Sequence, residues 1–132
     1  MSQENVDVVR QVLDAYSRRD IDALRTLNHP DVELDWSASR GSLAAVYRGF
    51  EEGLRFYAEY YETFESSVIV PDCFIDVGDS VVVPNVVHQR GRDDIEVSAR
   101  STLLCTVRDG KVTRVCLFHE EDEALKAVGL AD

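Results

Sequence analysis

At 132 residues the chain is close to the commonest size for one folded domain, with room for one core and one pocket but not for two domains. Hydrophobic residues at 45% and charged residues at 30% exclude a disordered chain. A formal net charge of -11 argues against nucleic acid or an anionic membrane as partner, since both call for a clustered basic surface.

Residues 3–19 read as a helix, with Val6, Val9, Leu13 and Tyr16 at helical spacing and Val8, Val12 and Ala15 widening the stripe. Asp20 looks like the N-cap of a short helix over residues 21–27, which His29-Pro30 ends. Residues 31–36 alternate as a half-buried strand, with Val32, Leu34 and Trp36 on one side and Glu33 and Asp35 on the other. A polar loop over residues 37–42 leads toward a long helix over residues 49–64, whose core stripe is Phe50, Leu54, Tyr57, Tyr61 and Phe64.

From Ser66 the apolar period drops from about 3.6 to 2. Residues 68–70 and 74–77 read as one strand interrupted at Pro71, and residues 80–89 as the next, where Pro84 suggests an edge or a bulge. A long strand over residues 95–108 turns at Asp109-Gly110 and returns over residues 111–119. A closing helix over residues 121–128 stops at Gly129. Helices first and an antiparallel meander second define an α+β class, with residues 1–132 as a single domain.

Alternation in the long strand separates Val97, Ala99, Ser101, Leu103, Cys105 and Val107, expected to face the helices, from a largely polar set. The last strand splits into Arg114, Cys116 and Phe118 against Thr113, Val115, Leu117 and His119. Both sets are partly apolar, so both faces of the sheet are expected to be covered there. With Cys116 and Phe118 assigned to the pocket, Val115 and Leu117 fall on the outer face, and a homodimer packed sheet to sheet is the expected cover.

The three cysteines, Cys73, Cys105 and Cys116, lie in apolar runs without a Cys-x-x-Cys pair and read as small buried hydrophobes of a reducing compartment. The opening Met1-Ser2-Gln3-Glu4-Asn5 has no basic patch before an apolar run, so no signal peptide is expected. No stretch approaches the roughly 18 apolar residues of a membrane span. A cytoplasmic location is the expectation. His29, His88 and His119 lack metal-ligand spacing, and Arg40-Gly41-Ser42 is too short for a phosphate loop. No metal and no cofactor is implied.

Several short motifs together resemble the nuclear transport factor 2-like superfamily, and within it the SnoaL-like branch. They are Arg19-Asp20-Ile21-Asp22-Ala23-Leu24 followed by His29-Pro30-Asp31-Val32-Glu33, the Tyr47-Arg48-Gly49 step before the long helix, and the Arg108-Asp109-Gly110-Lys111-Val112 hairpin. The tail from Asp122 to Leu130 is similar to one common among uncharacterised bacterial members. The resemblance implies a helix-lined cone with a curved, mostly antiparallel sheet, a cystatin-like roll. That fold hosts isomerases, cyclases, epoxide hydrolases and non-catalytic binders.

Residue by residue, the resemblance to catalytic branches is partial. Asp35 matches the general base of ketosteroid isomerases, but the positions matching their oxyanion donors are Val12 and about Thr102, with Tyr16 one turn on from Val12. The charged triad of limonene epoxide hydrolases would fall near Val87, Asn85 and Cys116, and the aspartate of SnoaL-type cyclases near Cys116-Leu117. None of those charges is present.

Two readings follow. In the first, Asp35 moves a proton on an apolar carbonyl-bearing or cyclic substrate, with Tyr16 polarising the oxygen, in an isomerase, cyclase or hydrolase. In the second, the chain is a non-catalytic dimer that binds a small hydrophobic ligand. Either way, Trp36, Phe56, Tyr57, Tyr60, Ala99, Ser101, Leu103, Cys116 and Phe118 are the expected pocket residues.

Overall fold

Among the described residues, 2–39 and 44–129, a computed structural model of the protein has four helices and seven strands. The last part of the expected polar loop, Arg40-Gly41-Ser42, and the final residue of the tail motif, Leu130, lie outside the described residues. Helix α1 (Ser2–Arg18) buries Val6, Val9, Leu13 and Tyr16, the stripe its spacing predicts. It ends where Arg19 adopts a left-handed φ of 60°, and Asp20 then caps α2 (Ile21–Leu27) by accepting the Ala23 N–H at 3.0 Å.

Strand β1 (Asn28–Asp35) keeps the predicted alternation, with Val32 and Leu34 buried. The short strand β2 (Val46–Arg48) pairs antiparallel with it, where the sequence reading has only the step into the next helix. Helix α3 (Phe50–Thr63) starts at Gly49, whose φ of 87° and ψ of 151° suit glycine and strain any other residue. The Gly49 N–H donates to the Val32 carbonyl at 2.8 Å, which pins the start of α3 to β1. At the other end the Arg19 guanidinium donates to the carbonyls of Tyr61, Phe64 and Glu65 at 3.2, 2.7 and 2.7 Å, meeting acceptors left over at and just beyond the helix end.

The remaining strands are β3 (Phe64–Pro71), β4 (Ile75–Val77), β5 (Ser80–Gly91), β6 (Glu96–Arg108) and β7 (Lys111–Phe118), followed by α4 (Glu121–Ala127). The sheet order is β2-β1-β7-β6-β5-β3, with β4 also on β5. Only β1–β7 is parallel. The curved sheet wraps around α1 and α3, giving the α+β cone that the resemblance implies.

Pro84 sits inside the sheet rather than at an edge. Its carbonyl accepts the Asp72 N–H at 2.8 Å, so the position of its missing N–H faces the same side. That side is the gap between β3, which ends opposite Asn85, and β4, which begins opposite Val82. The proline therefore removes a donor where the neighbouring strand is broken. For the same reason the segment over residues 68–77 forms two strands on β5 and not one.

The last hairpin corrects the pocket assignment. Arg108 pairs with Lys111 and Val107 with Val112 around the Asp109-Gly110 turn, but Thr106 pairs with Arg114. One extra residue, Thr113, bulges from β7, and a one-residue slip exchanges the faces of everything beyond it. Leu117 therefore lies opposite Leu103 and Val115 opposite Cys105, both facing the helices. Cys116 and Phe118 turn to the outer face, against the expectation that they line the pocket. There Val82, Leu104, Cys116 and Ala124 form a second cluster, with Phe118, Leu125 and Val128 packed on it. Helix α4 of the same chain supplies the outer cover. The argument for a homodimer from outward-facing Val115 and Leu117 is thereby removed.

Candidate functional site

Between α1, α3 and the concave face of the sheet lies a cavity of about 200 Å³. Its helix side is aromatic because α3 repeats aromatic residues at helical spacing. Phe56 is the hub, with ring centroids 4.9 Å from Trp36, 4.8 Å from Tyr47, 5.6 Å from Tyr57 and 5.0 Å from Tyr60. Such edge and tilted contacts set the wall's shape. The sheet side is aliphatic, from Leu34, Ile69, Leu103, Val115 and Leu117 among others.

Polar groups interrupt this lining at few points. The Tyr16 hydroxyl hydrogen-bonds the Ser67 hydroxyl at 2.9 Å, and Gln89 donates to the same Ser67 oxygen at 3.3 Å. Ser101 donates to the side-chain carbonyl of buried Asn85 at 3.0 Å. The Tyr57 hydroxyl has no hydrogen bond among the described residues, and it is not among the buried polar atoms sealed away without a partner. In a side chain only 6% exposed, that leaves the hydroxyl open to the cavity.

Burial pushes Tyr16 and Tyr57 far above the ordinary phenol value, and Tyr61 up to about 12. Burial also raises Tyr60, with the Trp36 indole pulling part of the way back. These phenols stay protonated and act as donors, not as bases. Cys105, which also lines the cavity, is pushed up to about 12 by burial and remains a thiol.

The structure brings together Tyr16, Trp36, Phe56, Tyr57, Tyr60, Ala99, Ser101 and Leu103 around this cavity. It does not bring Asp35 there. Asp35 pairs with Cys116 across β1 and β7 on the outer face, opposite in parity to Leu34 and Trp36. Its carboxylate accepts the Ser37 hydroxyl at 2.6 Å, the Ser37 N–H at 3.1 Å and the Arg114 guanidinium at 3.0 Å. Those bonds, the Ser37 hydroxyl first, hold its pKa below the usual carboxylate value. A carboxylate held ionised outside the apolar cavity is a poor general base for anything within it. Arg114 also pairs with Glu33 at 3.0 Å, so Asp35 belongs to an ion-pair network on the outer face. Cys116 lies in that network, and burial raises its thiol pKa too.

Sequence reasoning missed Val115, Leu117 and His119 as lining residues. They share one parity, and only the bulge at Thr113 turns that parity inward. His119 borders both the cavity and an adjoining polar recess with Arg100, Ser101, Glu120 and Glu121. Its Nε2 hydrogen-bonds the Ala38 carbonyl. Among the described residues, no three His, Cys, Asp or Glu side chains gather as a metal site, and none of the cavity-lining residues is an Asp or Glu.

A curved sheet closed over two helices, with an apolar cavity between them, is the architecture of nuclear transport factor 2-like pocket proteins. The chain belongs to the SnoaL-like domain family, whose sequence profile matches residues 9–115. Among solved structures it is similar to TerC, crystallised with polyporic acid, at 22% identity over 95% of this chain and 98% of that one, with a TM-score of 0.78. A candidate SnoaL-like polyketide cyclase from Jannaschia sp. CCS1 is 20% identical over 99% and 95% of the two chains, with a TM-score of 0.76. A protein with a ketosteroid isomerase-like fold from Catenulispora acidiphila DSM 44928, in complex with trimethylamine, is 18% identical over 93% and 92%, with a TM-score of 0.75. At these identities the likeness is one of fold. No curated protein matches the sequence. No described helix is long and apolar enough to cross a membrane.

Proposed function

We propose that this protein binds one small, cyclic, largely apolar molecule carrying an oxygen acceptor, in the cavity between α3 and the sheet. The observation that carries the reading is the Tyr57 hydroxyl, an unpartnered donor among the described residues, within a largely apolar, aromatic-walled cavity. Open to the cavity and free of protein partners, this hydroxyl offers a ligand carbonyl or phenol oxygen a hydrogen bond with a net value of about 0.5–1.5 kcal/mol. An apolar cavity of about 150 Å³ accommodates benzene, so about 200 Å³ suits a ligand of one to two rings. That two fold relatives were crystallised with small molecules fits a binding role.

The test is a thermal-shift and calorimetric screen against two-ring ketones, lactones and phenols. A compound at about 100 times its Kd is expected to add about 2.7 kcal/mol of stability. Tyr57→Phe should weaken its binding by about 1 kcal/mol, roughly fivefold in Kd, and Leu103→Trp, which fills the cavity, should abolish it. Ligands that bind the wild type and Leu103→Trp equally, or a panel silent throughout, would refute the reading.

A further inference from the structure

We infer that His119 is the proton-transferring group of this cavity, acting on a carbon acid next to a ring carbonyl. This rests on the cavity being a ligand site, as proposed above. With Asp35 on the outer face and the cavity tyrosines and Cys105 held protonated, His119 supplies the imidazole among the described lining residues, the side chain most suited to proton transfer. It lies beyond the residues matched by the family profile.

Two features of its setting suit the task. The Ala38 carbonyl can only accept, so the Nε2 of His119 carries the hydrogen in that bond. In the neutral ring this fixes the tautomer, with Nδ1 as the basic nitrogen. The ring also stands where the cavity meets the polar recess, so a proton taken from a ligand has a route to water. Charged groups bordering the recess are Arg100 from β6, itself paired with Asp72, and Glu120 and Glu121 at the start of α4.

The step balances without an oxidant or a second reactant. Nδ1 takes the proton from the carbon beside the carbonyl, and the C–H electron pair becomes the C=C bond of an enolate. The carbonyl oxygen takes up the negative charge and accepts a hydrogen bond from the Tyr57 hydroxyl. The imidazolium returns a proton to the same carbon or to a conjugated one. The first outcome is exchange with solvent, and the second is isomerisation.

The probe is 2-tetralone in D2O, with deuterium incorporation followed by NMR and binding followed by calorimetry on the same samples. Wild-type protein is expected to accelerate exchange beyond an equal concentration of free imidazole. His119→Gln keeps an N–H for Ala38 but has no basic nitrogen, and it should lose about 100-fold or more of that acceleration while still binding the probe. His119→Ala should regain exchange when imidazole is added. Asp35→Asn should exchange as the wild type does. Binding without accelerated exchange, or His119→Gln exchanging at the wild-type rate, overturns the role of His119 and leaves the binding reading standing. No binding of 2-tetralone or of any compound in the panel overturns both.

Discussion

Asp35 shows how far one residue's role depends on which face of a strand it occupies. Its neighbours Leu34 and Trp36 line the cavity, while its own carboxylate joins Ser37 and Arg114 on the outer face. The carboxylate then works for stability. Because its native pKa is depressed, its contribution is complete above the ordinary value of 3.8 and is lost as pH falls through the lower native value. Its side chain is 17% exposed, so solvent screens the interaction only in part. Asp35→Asn is expected to lower unfolding stability by about 1–2 kcal/mol at pH 7. In denaturant titrations over a pH series, the gap between the two proteins should close as the medium becomes acid. A gap that stays constant down to strongly acid pH would show that the charge contributes nothing. The alternation Val32, Leu34, Trp36 against Glu33, Asp35 already carries this placement in the sequence. Resemblance to an isomerase base points the other way, and the structure follows the alternation.

At the scale of elements, what was legible tracks how strongly one face of an element differs from the other. Helices α1 and α3 have one apolar stripe each and were readable to within about two residues. Strand β6 was readable in part: Leu103 and Cys105 face the cavity as their parity predicts, but Leu104 between them is buried on the outer face and Val97 is exposed. Strand β7 was not readable, because both of its faces are buried, one under the cavity and the other under α4. Its facing then depended on the register of the hairpin, and the bulge at Thr113 has no glycine or proline to announce it. Strand β2 has only three residues and no periodicity to read. The outer cover is open to test through α4. Ala124 is fully buried against the Val82, Leu104 and Cys116 cluster. Ala124→Glu forces a charge and extra volume into that contact and is expected to cost about 2 kcal/mol or more in chemical unfolding. The variant should also self-associate in light scattering, because lifting α4 uncovers Leu104, Cys116 and Phe118. An unchanged midpoint would show that α4 is not a working part of the core.

For the molecule as a whole, the cavity is the feature that packing alone does not explain. Protein interiors are close-packed, and an apolar void costs about 24 cal/mol per Å³ where it cannot collapse. A sealed void of about 200 Å³ would cost on the order of 5 kcal/mol, and this cavity, open at its His119 end, carries the part of that cost that falls on its closed apolar walls. The aromatic wall around Phe56 and the continuous strands opposite hold the space open, because neither side can relax inward without breaking ring contacts or ladder bonds. A void kept against that gradient gives binding and stability opposite interests. Val115→Phe tests the opposition, since Val115 points into the cavity from the centre of β7 and is 6% exposed. The added ring is expected to fill empty volume and raise the thermal midpoint by several degrees, at about 3–5 °C per kcal/mol for a chain of this length. Compounds that stabilise the wild type should leave this variant's midpoint unmoved. A variant that is destabilised, or that still responds to those compounds, would mean that the space closes in solution or that the ligand sits elsewhere.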